Sequence, residues 1–151
     1  NNIFELLLVI AVVAIVPALA EETMFRGFIQ RSFELKMKKY WAAIVTALFF
    51  ALYHFNPYGL IPLFMLGAFF GFAAYKSKSL IIPVILHFIN NFSAVMLYHF
   101  IGDDELIKTD ASVNPNELSS YVIMFFSLSI LFIGLIFIIN KYYSSKQFAK
   151  E

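Results

Sequence analysis

Four long runs of this 151-residue chain contain no Lys, Arg, Asp or Glu: Leu6–Ala20, Tyr40–Tyr75, Ser79–Gly102 and Leu118–Asn140. A helix that crosses a bilayer needs about 20 mostly apolar residues. The Tyr40–Tyr75 run is too long for one crossing and carries a turn signal, Asn56-Pro57-Tyr58-Gly59, near its middle. The expected fold class is therefore all-α, a polytopic transmembrane helix bundle with about five spanning helices, at about 3–30, 40–56, 60–75, 79–101 and 119–140. A soluble bundle would need more polar surface than a chain 61% hydrophobic and only 14% charged can supply. The same apolar content excludes disorder. With no Cys there is neither a disulfide framework nor a thiolate nucleophile or ligand. A net charge of +1 offers no basic footprint for nucleic acid, so the expected surroundings are membrane lipid.

Loop charges set the orientation. Four Lys or Arg lie in Arg31–Lys39, two in Lys76–Lys78 and three after Asn140, whereas Asn56–Gly59 has none and the acidic 103–117 loop only Lys108. Basic loops stay cytoplasmic, and five alternating helices satisfy this at every loop, with the N-terminus of the chain outside and its C-terminus in the cytoplasm. The expected organisation is a core over 1–101 that holds all polar motifs, an extracytoplasmic acidic loop over 102–118, and a last helix with a basic tail over 119–151. The first span includes Pro17, which kinks a helix but is tolerated in membranes. It is too long, and too charged at its end, for a secretory signal peptide. The missing initiator Met points to an excerpt of a longer protein.

Ionisable groups inside a span cost roughly 2.5–3.5 kcal/mol each on insertion scales, and so mark function by default. Here they are Glu21, Glu22, Arg26, His54 and His87, with Asn91 as a neutral companion. Glu22 and Arg26 are four apart, acid first, and can pair on one helix face. Glu21 points about 100° away with no charge partner at helical spacing, which makes it a candidate general base. His87 and Asn91 share a face of the fourth span, and both can donate to a developing oxyanion. Asn90 points elsewhere and reads as a packing hydrogen bonder, and His99 as an interfacial residue. Gly67 and Gly71 make a small-xxx-small face for close helix approach. Depth leaves one tension. With the first helix ending at Arg31, Glu22 and His87 lie roughly 12–14 Å deep, but His54 roughly 20 Å from a helix start at Tyr40.

Taken in order, Glu21-Glu22-Thr23-Met24-Phe25-Arg26, Phe50-Ala51-Leu52-Tyr53-His54 and His87-Phe88-Ile89-Asn90-Asn91 are EExxxR, FxxxH and HxxxN on three successive apolar segments. This set resembles the CPBP family of intramembrane proteases, the CAAX-protease and bacteriocin-processing or Abi family. The match covers about Pro17–Asn91, with no motif residue departing from the pattern. Family members usually carry further N-terminal membrane helices. The resemblance implies an endopeptidase within the bilayer, acting on prenylated CAAX proteins or on bacteriocin- or pheromone-type peptides. It implies that Glu21 activates the hydrolytic water with His54, that His87 and Asn91 stabilise the oxyanion, and that Glu22 and Arg26 support the first motif. Two His and a Glu could hold a catalytic zinc, but HExxH is absent and Glu-His activation needs no metal, so no cofactor is favoured. The expected partner is a membrane-associated protein or peptide substrate, and residue usage rich in Phe, Ile, Lys and Asn points to a bacterial cytoplasmic membrane. The alternative is a non-catalytic protein of the same fold, a bacteriocin immunity factor or scaffold, indifferent to substitution of Glu21 and His54. A proton-coupled transporter subunit would also bury Glu and His, but paired, broken helices in corresponding halves are lacking.

Overall fold

The computed structural model describes residues 2–101, together with Gly134, Phe137 and Lys141, each helical. The expected acidic loop at 102–118 and nearly all of the expected fifth span at 119–140 lie outside the described residues. Among the described residues there are helices and turns and no strand. The chain divides into two compact units, Asn1–Val95 and Met96–Glu151, and the packing below is that of the first.

Helix α1 runs over Ile3–Glu34, α2 over Lys39–Tyr53, α3 over Leu60–Ser77 and α4 over Ile81–Ile101. Three helices are long and apolar enough to cross a membrane: Ile3–Glu34, Leu60–Ser77 and Ile81–Phe100. At 15 residues α2 is shorter, and it ends at Tyr53 rather than at the expected 56. Each boundary has a local cause. Asn2 caps α1, its Oδ1 accepting from Phe4 N–H (3.2 Å) while Glu5 reaches back to the Asn2 N–H. After α2, Phe55 takes a left-handed φ of 49°, and Asn56 Oδ1 accepts from the N–H groups of Tyr58 (3.1 Å) and Gly59 (3.0 Å). Lys78, at φ 54°, ends α3. Pro62 and Pro83 each stand third in their helices, where an N–H would have no intrahelical partner.

Two stretches of α1, Ile10–Ile15 and Thr23–Gln30, are wound as wider π-type turns. Their cause is visible in what α1 buries: apart from Phe25, these are Ala14, Ala18, Glu22, Arg26 and Gln30, spaced every fourth residue. At 3.6 residues per turn such a stripe would drift by about 40° at each step. Wider turns take up the drift and keep the stripe against its neighbours. The opposite face, with Phe4, Leu8, Leu19 and Phe28, is exposed, as a lipid-facing surface should be.

The tightest pair is α2 with α3. Its seam is small on both sides: a Cβ on Gly67 would lie 3.0 Å from Phe50 Cδ1 and 3.2 Å from Ala47 Cα, and one on Gly71 3.2 Å from Ala43 Cβ. Gly67 and Gly71 thus serve the structural role expected of them, and more. Their carbonyls, uncovered by any side chain of their own, accept from α1, Gly67 O from Arg26 Nη2 (2.8 Å) and Gly71 O from Gln30 Nε2 (3.2 Å). Two rungs with the same sequence offset fix the register of α1 on α3.

Candidate active site

The stripe on α1 brings its charges against α4. Glu22 Oε1 accepts from Arg26 Nη1 at 2.7 Å and lies 2.8 Å from His87 Nδ1, with all three residues buried. A carboxylate only accepts, so His87 Nδ1 carries its hydrogen toward Glu22. The guanidinium is enclosed by the rings of Phe50, Phe70 and Phe25, at 4.7, 5.4 and 5.9 Å from their centroids. The His87 ring is stacked on Phe70 at 5.2 Å. Arg26 is therefore held by a carboxylate, a carbonyl and three aromatic faces, which is what keeps a cation in an apolar interior.

Glu21 turns to the neighbouring face. Its Oε2 lies 3.8 Å from His54 Nε2 and 3.9 Å from His87 Nε2 and makes no hydrogen bond. The Glu21 side chain is 21% exposed and that of His54 28%, against 3% for His87, with Glu21 Oε2 itself buried. His54 closes the C-terminal end of α2, with Nδ1 donating to the Phe50 carbonyl at 2.7 Å. A carbonyl cannot donate, so Nδ1 carries the hydrogen and the neutral ring has its lone pair on Nε2, toward Glu21.

Asn91 lies one helical turn beyond His87. Its Nδ2 donates to the carbonyl of Val13 at 3.0 Å, and its Oδ1 accepts from Asn90 Nδ2 at 3.1 Å. Val13 lies in the wide Ile10–Ile15 stretch, and of the two backbone donors a helix can bring to its carbonyl, residues 17 and 18, the first is Pro and has no N–H. A side chain from a neighbouring helix thus serves a backbone group that Pro17 leaves short, as membrane helices allow. One hydrogen of the Asn91 amide stays available.

These side chains meet at a cavity of about 460 Å³ whose lining includes Pro17, Glu21, His54, His87, Asn90 and Asn91, with apolar walls from Val12, Val13, Leu63 and Leu66. The structure thus gathers Glu21, Glu22, Arg26, His54 and His87 into one cluster and sets Asn91 on the same cavity. Asn90 belongs to the cavity wall as well as to packing. His99 falls in the second unit, its ring 5.4 Å from Phe100. The depth tension eases for α1, which continues to Glu34, but not for His87, about 9 Å from the start of its helix at Ile81. Glu21 then lies about 20 Å from its loop end and His54 about 22 Å from Lys39.

Sequence reading missed Gln30, the two glycine carbonyls, and the Pro17–Val13–Asn91 arrangement. Gln30 had a usable signal, being four residues past Arg26. Its Nε2 is shared between Gly71 O and Glu34 Oε1 (3.1 Å). As for a metal, among the described residues no group of three or more His, Cys, Asp or Glu side chains is arranged to hold one.

No curated protein and no solved structure gives a significant match to the chain. Residues 3–93, which include every residue of the cluster and more than half of the chain, match the family described as Type II CAAX prenyl endopeptidase Rce1-like. With three apolar helices of membrane-crossing length around a buried Glu-His cluster, the chain belongs to this Rce1-like family of membrane endopeptidases.

Proposed function

We propose that this chain is an intramembrane endopeptidase that hydrolyses a peptide bond in a membrane-associated protein or peptide, with Glu21 as general base and His54 as its assistant. The observation that carries the reading is the position of Glu21 Oε2, unbonded and 3.8–3.9 Å from two imidazole Nε2 atoms at the cavity wall. Gaps of that size suit a bridging water. The water gives one proton to Glu21 as its oxygen attacks the carbonyl carbon, and the His54 Nε2 lone pair can accept the second O–H as a hydrogen bond. The oxyanion takes hydrogen bonds from His87 Nε2 and from the free Asn91 amide hydrogen. His87 Nε2 donates only when the ring is doubly protonated, and Glu22 faces the charge this adds. On collapse Glu21 returns its proton to the departing amine, so atoms and charge balance. Glu22 and Arg26 do not touch the substrate; they position His87. No step is routed through a metal.

In this reading the substrate is a CAAX-type tail or a bacteriocin- or pheromone-type peptide, 119–151 is a final transmembrane helix with a basic cytoplasmic tail, and the membrane is a bacterial cytoplasmic one. The test is cleavage of prenylated and unprenylated membrane peptides by the protein in liposomes, with and without a chelator. Glu21→Gln and His54→Ala should each lower kcat by about 10²–10⁴-fold. Glu21→Gln should leave unfolding unchanged, because Oε2 anchors nothing, and the chelator should have no effect. Full cleavage by Glu21→Gln would refute the proposal.

A further inference from the structure

Helix α4 turns four residues to the cavity, His87, Asn90, Asn91 and Ala94, at the i, i+3, i+4 and i+7 spacing of one helix face. Two of them are interlocked amides. A carbonyl only accepts, so Asn91 must turn Nδ2 toward Val13 and leave Oδ1 facing away from it. That Oδ1 takes a hydrogen from Asn90 Nδ2 at 3.1 Å. The donation sets the orientation of Asn90 in turn. Its own Oδ1 is left over, with no hydrogen bond among the described residues, and so is the second hydrogen of its amide. Asn90 is exposed, so both can be reached from the cavity.

Peptide hydrolysis makes a demand that such an amide can meet. A carbonyl inside a helix is covered by its own hydrogen bond, so the segment to be cut must lie in the site unwound, with backbone N–H and C=O groups bare. Between apolar walls every bare group needs a partner. The polar side chains lining the cavity are Glu21, His54, His87, Asn90 and Asn91. Glu21 and the His54 lone pair are taken up by the water, and His87 and Asn91 by the oxyanion. Asn90 Oδ1 is the one side-chain acceptor among them without a part in the reaction. Neighbouring Cα atoms lie about 3.8 Å apart, close to the advance of about 3.3 Å per residue in an extended chain, so an amide beside the oxyanion donor stands beside the residue next to the scissile bond. We propose that Asn90 binds the substrate main chain: its Oδ1 accepts a backbone N–H one or two residues from the scissile bond, and its spare hydrogen goes to a carbonyl beside it. The ligand of this subsite is an extended peptide backbone, whatever its side chains. This rests on the endopeptidase reading.

The test uses the full chain in detergent micelles and a membrane peptide that the wild type cleaves, with the cut located by mass spectrometry. Analogues of that peptide carry a single ester in place of one amide flanking the cut, which removes one backbone N–H and leaves every side chain in place. Asn90→Ala should unfold like the wild type and lower kcat/KM for the parent peptide about tenfold, mainly through KM. One ester should lower kcat/KM of the wild type about as much, and should cost the Asn90→Ala protein nothing further. The Glu21→Gln protein, which binds without cutting, should hold the parent peptide about tenfold more tightly than that ester. Losses that multiply at every ester position, or a loss in Asn90→Ala carried by kcat alone, would make Asn90 a support for the Asn91 amide and overturn the inference while the endopeptidase reading stands. Unchanged kcat/KM in Asn90→Ala overturns it as well. Absence of cleavage of any membrane peptide by the wild type removes the endopeptidase reading and this inference together.

Discussion

Removing the charge of Arg26 leaves Glu22 behind in the interior with the His87 Nδ1–H bond as its remaining partner. Arg26 is 1% exposed and Glu22 0%; the ion pair is 2.7 Å long, and Glu22 Oε2 has no hydrogen bond of its own. Breaking a buried pair from one side costs about 3–5 kcal/mol, chiefly from the uncompensated charge. Arg26→Met also takes the donor from the Gly67 carbonyl, which adds about 1 kcal/mol. Glu22→Gln strands the guanidinium in the same way. The double variant Glu22→Gln/Arg26→Met strands neither, and its long thioether can fill the aromatic enclosure, so the two changes should be non-additive by about 2–4 kcal/mol. Arg26→Lys keeps the charge but not the planar fork that reaches Glu22 and Gly67 together, and should fall between wild type and Arg26→Met. The measurement is unfolding of each purified protein in detergent micelles, followed by loss of helical circular dichroism. If the single variants each cost under about 1 kcal/mol, or if the double variant costs the sum of the singles, the buried pair is not the anchor described here.

Asn91 serves both Val13 and the proposed oxyanion, and Pro17 allows these to be separated. Asn91→Ala should lower kcat by about 10²-fold or more and reduce stability by about 1 kcal/mol. Adding Pro17→Ala supplies a backbone N–H for Val13 and should restore stability without restoring the rate; recovery of both would make Asn91 purely structural. Gly67→Ala should destabilise by about 1–3 kcal/mol, because the new methyl meets Phe50 and the Ala47 backbone. Gly27→Ala meets only the tip of the Leu80 side chain, at 3.3 Å, and should be neutral or gain up to about 1 kcal/mol of helix propensity, both measured by thermal unfolding in micelles.

The helices and the pairing of Glu22 with Arg26 were legible in the sequence because both depend on local spacing. So was the odd position of Glu21, since one residue along a helix is a fixed rotation. What lay hidden depends on contacts between distant segments. The Gly67 and Gly71 carbonyls are 41 residues from the side chains they receive, and Val13 is 78 from Asn91. No periodicity announces a main-chain acceptor. Small-xxx-small spacing indicates that a helix comes close, but not that a third helix then reaches the bared backbone. The expected end of α1 at about 30 was short for a related reason. In sequence Arg31 reads as the first residue of the basic Arg31–Lys39 loop, whereas Arg31 and Gln30 both bond to Glu34 and carry the helix another turn.

The wide turns of α1 also bear on which length changes the protein can absorb. In α2, of regular pitch, loss of one residue would rotate everything after it by about 100° and pull His54 off the cavity wall. Between Ile10 and Ile15, which hold none of the charged cluster, a lost residue can instead be taken up by hydrogen bonds falling back from the π to the α pattern, with the flanking turns left close to their original phase. Insertions and deletions that have drifted into related chains should therefore collect in Ile10–Ile15, the stretch of α1 that lines the cavity with Val12 and Val13. That is the opposite of the usual expectation that helices beside an active site are the least tolerant of changes in length.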